Sequence, residues 1–235
     1  MSGRSASRIP VYLEVGKKRV FAGGLEWPGW CRSGRDEEDA LEALVDYGPR
    51  LRKALRKAAT GFHPPAGVSA LRVVERLEGN ATTDFGAPGK APAVDARPLD
   101  ETEAKRQAAI LRAGCSTFDR TAKAAAGATL RKGPRGGGRE LDAIVRHVLE
   151  ADGAYLSKLG GSYRKPTEAI DLWAEMAGLR RTALTLLSSL ARGEPPPRTP
   201  RSGSLWTPRY FVRRSAWHAL DHAWEIEDRS APAER

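Results

Sequence analysis

Three of the four histidines fall in two segments whose sequence pattern is helical. His218 and His222 are four residues apart, so a helix places both imidazoles on one face, about one turn apart. His147 lies in a second helical segment, residues 140–156. Three neutral imidazoles around a divalent cation leave at least one coordination position open, which is the arrangement that activates water or accepts a substrate thiolate. The sequence therefore predicts a three-histidine metal site built from His147, His218 and His222.

The predicted ligands share their helix faces with apolar residues. On the last helix, the residues that recur at spacings of three and four are Phe211, Ser215, His218, His222 and Ile226. The flank that carries His147 also carries Ile144, Val148, Ala151 and Tyr155. Both faces should point into a core, where every imidazole needs a polar partner. A shared metal ion meets that need, and a buried polar cluster without a metal is the alternative.

Several acidic residues near the histidines are candidates to orient the imidazole rings. The carboxylates of Asp142, Asp221 and Glu225 could each accept a hydrogen bond from the ring nitrogen that faces away from the metal. For each of them, a surface salt bridge is the alternative. The fourth histidine, His63, lies in the loop sequence Gly-Phe-His-Pro-Pro and is not expected to bind the metal.

Four helical segments are expected to position the histidines. They span residues 100–126, 138–159, 167–191 and 207–229. Asp100 followed by Glu103 has the pattern of a capping box, and Thr207 followed by Pro208 is typical of a helix start. Helices of about 20–27 residues suit a four-helix bundle roughly 30–40 Å long. We therefore assign residues 99–230 to a C-terminal four-helix bundle.

The N-terminal part of the chain has a different pattern, which predicts a small ββαβ domain over residues 9–83. Two β-prone runs around a Gly-containing turn, at residues 9–15 and 19–22, predict a hairpin. A helix should begin after Asp36 and be interrupted at Pro49, and residues 68–77 favour a third strand. Residues 1–8 are expected to be a disordered lead, and the Pro/Gly/Ala-rich residues 84–98 a linker. The fold class is thus α+β.

Composition narrows the classes of function. The net charge is +10, but residues 1–95 hold 15 Lys and Arg against 12 Asp and Glu, and the remaining excess falls in loops rich in Gly and Pro. Nucleic acid is therefore not the expected partner, although a basic surface can attract an acidic small molecule. Cys31 and Cys115 show no spacing motif, which is typical of free thiols in a reducing cytosol. With no apolar run of membrane length and no secretory signal, a cytoplasmic protein is expected.

The second domain resembles the DinB/YfiT-like superfamily of four-helix metalloproteins. The resemblance rests on the sequences Arg-His-Val-Leu-Glu-Ala-Asp at 146–152 and Trp-His-Ala-Leu-Asp-His-Ala-Trp-Glu at 217–225. In that superfamily one histidine of helix two and an HxxxH pair of the last helix bind a divalent metal, commonly zinc or nickel. The resemblance implies the ligands His147, His218 and His222. It also implies that a low-molecular-weight thiol, such as mycothiol or bacillithiol, is a candidate cofactor.

The first domain resembles the HicB-like antitoxin fold. The residues concerned are Trp-Pro-Gly-Trp-Cys-Arg-Ser-Gly at 27–34, followed by Asp-Glu-Glu-Asp-Ala-Leu at 36–41. Trp30 is an insertion relative to the family's Pro-Gly-Cys pattern, and no helix-turn-helix or ribbon–helix–helix sequence follows. The resemblance implies a small ββαβ module for binding or dimerisation.

Three functional hypotheses follow from the sequence. The first is a metalloprotein that acts on a small-molecule substrate as a thiol-dependent transferase or a hydrolase. The second is a HicB-like nucleic-acid-binding or antitoxin-type regulator. The third is a stress-associated protein that binds metal without catalysis. The sequence leaves a homodimer and the identity of the metal open.

Overall fold

The computed structural model describes residues 8–132, 138–164, 171–198 and 204–230. It divides the chain into two units, residues 1–97 and 98–235. The first unit combines a sheet with helices and the second is helical, so the predicted α+β class is confirmed. The predicted disordered lead lies outside the described residues except for Arg8. No helix in the described ranges is long and apolar enough to cross a membrane.

A four-stranded mixed sheet forms the centre of the first unit. Its strands are β1 (Ile9–Val15), β2 (Val20–Gly24), β3 (Cys31–Gly34) and β4 (Leu71–Glu78), in the spatial order β3-β2-β1-β4. The predicted hairpin is β1–β2, which pair antiparallel, and β4 pairs parallel with β1. The predicted order ββαβ is wrong because it lacks β3. That strand has four residues, of which only Cys31 is buried, so it shows no alternating pattern.

Two helices connect β3 to β4, as a parallel pairing of β4 with β1 requires. They are α1 (Glu37–Asp46) and α2 (Gly48–Leu55), and a 3-10 turn at 56–59 follows. The side chain of Asp36 caps α1 by accepting a hydrogen bond from the backbone N–H of Asp39 at 2.9 Å. Trp30 donates from Nε1 to the carbonyl oxygen of Leu44 at 2.8 Å, which attaches α1 to the sheet.

A buried carboxylate holds the segment after β4 against the sheet. This segment contains α3 (Ala81–Phe85) and a 3-10 turn at 93–96. Glu14 of β1 is fully buried and accepts hydrogen bonds from the hydroxyl of Thr83 and from the backbone N–H groups of Gly89 (2.8 Å) and Lys90 (3.1 Å). The prediction of a linker at residues 84–98 is wrong, because residues 84–97 belong to the first unit. The backbone of this segment forms no regular helix or strand at Gly89 and Lys90, so its N–H groups there are available as donors. The buried carboxylate of Glu14 accepts from them.

Four long helices make up the described part of the second unit. They are α4 (Glu101–Ala124), α5 (Leu141–Lys158), α6 (Leu172–Ala191) and α7 (Pro208–Ser230). Asp100 caps α4 by accepting from the N–H of Glu103 at 2.8 Å, and Thr207 accepts from the N–H of Tyr210 at 3.3 Å at the start of α7. The predicted start of the third helix at 167 lies outside the described residues.

The packing of these helices places α7 in the interior. Helix α4 contacts α6 and α7, and α5 likewise contacts α6 and α7. Most of α7 is buried, including the large side chains of Phe211, Trp217, Leu220, Trp224 and Ile226. Burial of such side chains is the dominant favourable term in folding. A polar residue on the inward face of α7 is consequently removed from water.

Candidate metal centre

Helices α5 and α7 bring the three predicted histidines together. Nε2 of His218 lies 3.2 Å from Nε2 of His147. One nitrogen from each of the three rings lies within 4.8 Å of the other two, a grouping that could hold a metal ion. The ring centroids are 4.6 Å apart for His218 and His222, and 5.0 Å apart for His147 and His222. The i, i+4 spacing on α7 and the contact of α7 with α5 together produce this cluster.

Burial favours the neutral form of two of the imidazoles. His218 is 5% exposed, and burial lowers its pKa well below the ordinary value, with further contributions from the neighbouring His222 and Arg214. Burial also lowers the pKa of His147, which is partly exposed, and His222 acts in the same direction. A neutral imidazole carries the lone pair that a metal needs, whereas a protonated one repels the cation.

A chain of polar contacts orients the third imidazole. Nδ1 of His222 lies 2.8 Å from Oε2 of Glu225, one turn further along α7. The other carboxylate oxygen accepts a hydrogen bond from Nη1 of Arg229 at 2.9 Å. Arg229 also donates to the carbonyl oxygens of Arg131 (2.7 Å) and Arg139 (2.8 Å), in the segments on either side of 133–137. A carboxylate on Nδ1 favours the tautomer with its proton there and leaves Nε2 free for a ligand bond.

The environment of Glu225 favours the charged form of its carboxylate. Burial opposes ionisation of Glu225, but hydrogen bonds from His222 and Arg229 outweigh it and lower its pKa. Of the three predicted orienting carboxylates, the structure places Glu225 on a histidine. Asp142 is exposed on α5, and Asp221 is half-buried on α7. His63 is exposed in a loop of the first unit.

An aromatic and cationic wall adjoins the histidines and was not predicted as part of the site. The ring centroid of Tyr155 lies 5.6 Å from that of His218, and Trp206 lies 5.1 Å from Tyr155. The guanidinium carbon of Arg214 lies 5.6 Å from the Tyr155 ring centroid and 4.7 Å from the Trp217 ring centroid. The sequence spacing could have indicated that Arg214 lies near the site, because it stands four residues before His218 on α7. Trp206 precedes the helix, so no periodicity indicates its position.

The donor set and its spacing fit a divalent transition metal. Two nitrogens bound tetrahedrally at about 2.0–2.1 Å from one ion lie about 3.3 Å apart. The 3.2 Å separation between the Nε2 atoms of His147 and His218 is close to that value. Nδ1 of His218 is buried and has no hydrogen-bond partner among the described residues. The orientation of the His218 ring therefore depends on packing and on the partner of its other nitrogen, Nε2, which faces His147.

The chain was compared with known proteins in three ways. No protein-family model matches it, and neither a curated protein nor a solved structure shows a significant match. The chemistry of the site is therefore inferred from its own residues and distances.

Proposed function

We propose that residues 99–230 form a DinB-like metalloprotein domain in which His147, His218 and His222 bind one zinc or nickel ion. The observation that carries the proposal is the convergence of three imidazole nitrogens from α5 and α7 within 4.8 Å of one another. Two further observations support it: the pKa of His147 and that of His218 are lowered, and Glu225 contacts the third ligand, His222. Neutral imidazoles with an ordered outer shell are the usual protein ligands of these ions.

We propose further that the site acts on a thiol or a water molecule, as a transferase or a hydrolase. A metal held by three imidazoles and one open position would supply Lewis acidity, which lowers the pKa of a bound thiol or water. Glu225 fixes the ring of His222 through Nδ1. Arg214 adds positive charge close to His218, where it would favour an anionic form of the substrate. Tyr155 and Trp206 would limit the access of bulk water to this region.

Metal content tests the first step of the proposal. The full-length protein is dialysed against zinc or nickel, desalted and measured by inductively coupled plasma mass spectrometry. We expect one ion per chain in the parent protein when the protein is desalted at a concentration of about 1 μM. His218→Ala and His222→Ala should each retain at most one-tenth of that metal content. His63→Ala is the matched control, because it removes an exposed histidine of the first unit. Equal metal content in all four proteins would reject the metal centre.

A spectroscopic titration tests whether the metal binds a thiol. Cobalt(II) replaces zinc in such sites and reports its ligands by visible absorption, and a coordinated thiolate adds an intense charge-transfer band. We expect this band when glutathione or N-acetylcysteine is added to the cobalt-loaded parent protein. If cobalt binds but neither thiol changes the spectrum, the thiol part of the proposal is wrong. The site then fits a hydrolase that uses water or the non-catalytic metal-binding hypothesis.

A further inference from the structure

A cavity lined mainly by α4, α6 and α7, with Asp152 of α5, lies apart from the metal centre. Its volume is about 160 Å³, and the three histidines are not among the residues that line it. The apolar part of the lining includes Leu111, Leu179, Ala183 and Phe211. An apolar cavity of about 150 Å³ is large enough to take up a benzene-sized molecule. The cavity is therefore large enough to hold one small organic molecule.

Two polar atoms of the lining residues lack hydrogen-bond partners. Ser215 is 5% exposed, and the side chain of Arg180 is 12% exposed. Neither Oγ of Ser215 nor Nη2 of Arg180 has a partner among the described residues. A buried polar atom without a partner costs about 1–3 kcal/mol, so such atoms usually bind a water molecule or a ligand. Both atoms belong to residues that line the same cavity, so a ligand there that reaches either atom would supply its missing partner.

The charges around this cavity balance. Two basic and two acidic side chains line it, namely Arg112, Arg180, Asp119 and Asp152. Arg180 donates from Nη1 to Asp119 at 2.7 Å and from Nε to Asp152 at 2.8 Å. Its third nitrogen, Nη2, therefore offers a donor whose positive charge is already offset by carboxylates. An anionic ligand gains no net attraction here, whereas a neutral oxygen acceptor can use the free N–H.

The thiol in the lining supports a binding role and not a reactive one. Cys115 is buried, and burial raises the pKa of its thiol to about 12. The thiolate, which is the nucleophile and metal ligand, is therefore scarce at neutral pH. As a thiol, Cys115 adds an apolar surface to the cavity.

We propose that this cavity binds a small neutral molecule that has an apolar body of about six to nine non-hydrogen atoms and one hydrogen-bond acceptor. The apolar side chains of Leu111, Leu179 and Phe211 surround the body, and Arg180 or Ser215 donates to the acceptor. The proposal does not depend on the metal centre, since no histidine lines the cavity.

Three probe molecules of similar size test the proposal. Acetophenone has a phenyl ring and a neutral carbonyl acceptor, α-methylstyrene carries a CH₂ group in place of the carbonyl oxygen, and benzoate carries a charge. Each is titrated into full-length protein with labelled leucine methyl groups, in the presence of EDTA, and binding is followed by NMR. We expect saturable shifts with acetophenone, with a Kd at least tenfold lower than that of either other probe. The shifts should include the methyl groups of Leu111 and Leu179.

Substitutions locate the binding. Ala183 is buried in the lining of the cavity, so Ala183→Leu should fill it and raise the Kd of acetophenone at least tenfold. Ala177→Leu makes the same change on the exposed face of α6 and should leave the Kd unchanged. Ser215→Ala should raise the Kd about three- to tenfold if the hydroxyl is the donor. No effect of Ser215→Ala, with acetophenone still preferred over α-methylstyrene, would assign the donor to Arg180.

Several results would overturn the proposal. One is the lack of saturable shifts with any probe. Another is equal binding of acetophenone and α-methylstyrene, which would mean an apolar hole without polar recognition. Tighter binding of benzoate would show that the ligand class is wrong. An unchanged Kd in Ala183→Leu would place the binding outside the cavity.

Discussion

Replacement of Glu225 by glutamine should weaken metal binding without removing a ligand. The variant keeps the shape of the side chain but loses the negative charge that lies 2.8 Å from Nδ1 of His222. The lost charge makes the imidazole a weaker donor to the metal and leaves Arg229 without its carboxylate partner. Because Glu225 holds the ring of His222 through Nδ1, the ring should also become less well oriented.

The size of the effect follows from the exposure of the contact. Loss of an orienting partner typically costs about 10- to 100-fold in metal affinity, or about 1.4–2.7 kcal/mol. His222 is 9% exposed, but the side chain of Glu225 is 31% exposed, so solvent screens part of its charge. We therefore expect the lower end of the range, an increase of about tenfold in Kd.

Competition with a chromophoric zinc chelator gives the Kd of the parent and variant proteins. Glu227→Gln is the control, because it makes the same change at an exposed position on the same helix. Its Kd should stay within about twofold of the parent value, since exposed charges contribute little. An equal Kd for Glu225→Gln and the parent would refute the idea that this carboxylate supports the site.

Two further predictions concern stability. Arg180→Met leaves Asp152 buried without its partner and should cost about 3 kcal/mol, or roughly 10 °C in the Tm of the second unit. Arg192→Met breaks an ion pair whose members are 49% and 52% exposed, so calorimetry should show a far smaller loss. Equal losses would contradict the role given to burial. The pKa values of His147 and His218 are lower in the folded protein than in the unfolded chain, so the unfolded chain binds more protons than the folded one. The free energy of unfolding should therefore fall as the pH drops below about 6.5. Tm measured with EDTA from pH 8 to pH 5 should fall less in His218→Gln than in the parent, and parallel curves would contradict this.

Regular patterns made much of the fold predictable. The hairpin β1–β2, the capped start of α1 and the long helices α4 and α7 all lie close to their predicted bounds. The strand β3 was missed because pairing with β2, rather than its own sequence pattern, makes it a strand. The linker prediction for 84–98 relied on composition. A charged residue inside an apolar strand, Glu14, was the overlooked signal that this segment has a partner in the sheet.

The candidate site was predictable where local spacing determines it. The i, i+4 pair on α7 and the i, i+3 contact of His222 with Glu225 depend on one helix only. Contacts between helices were harder to foresee. Asp152 and Arg180 are 28 residues apart, and their pairing depends on how α5 and α6 rotate against each other. The resemblances to DinB-like and HicB-like proteins stay predictions.

Helix α7 explains how one small helical unit can hold the two proposed sites. Its inward face contacts both α4 and α5, so successive residues on that face line different interhelical spaces. Phe211 and Ser215 line the cavity shared with α4 and α6, while His218 and His222 meet His147 of α5. The polar residues on this face are buried, and leaving them without partners would destabilise the unit. A ligand in the cavity would give Oγ of Ser215 a partner, and a metal ion would give one to Nε2 of His147 and of His218.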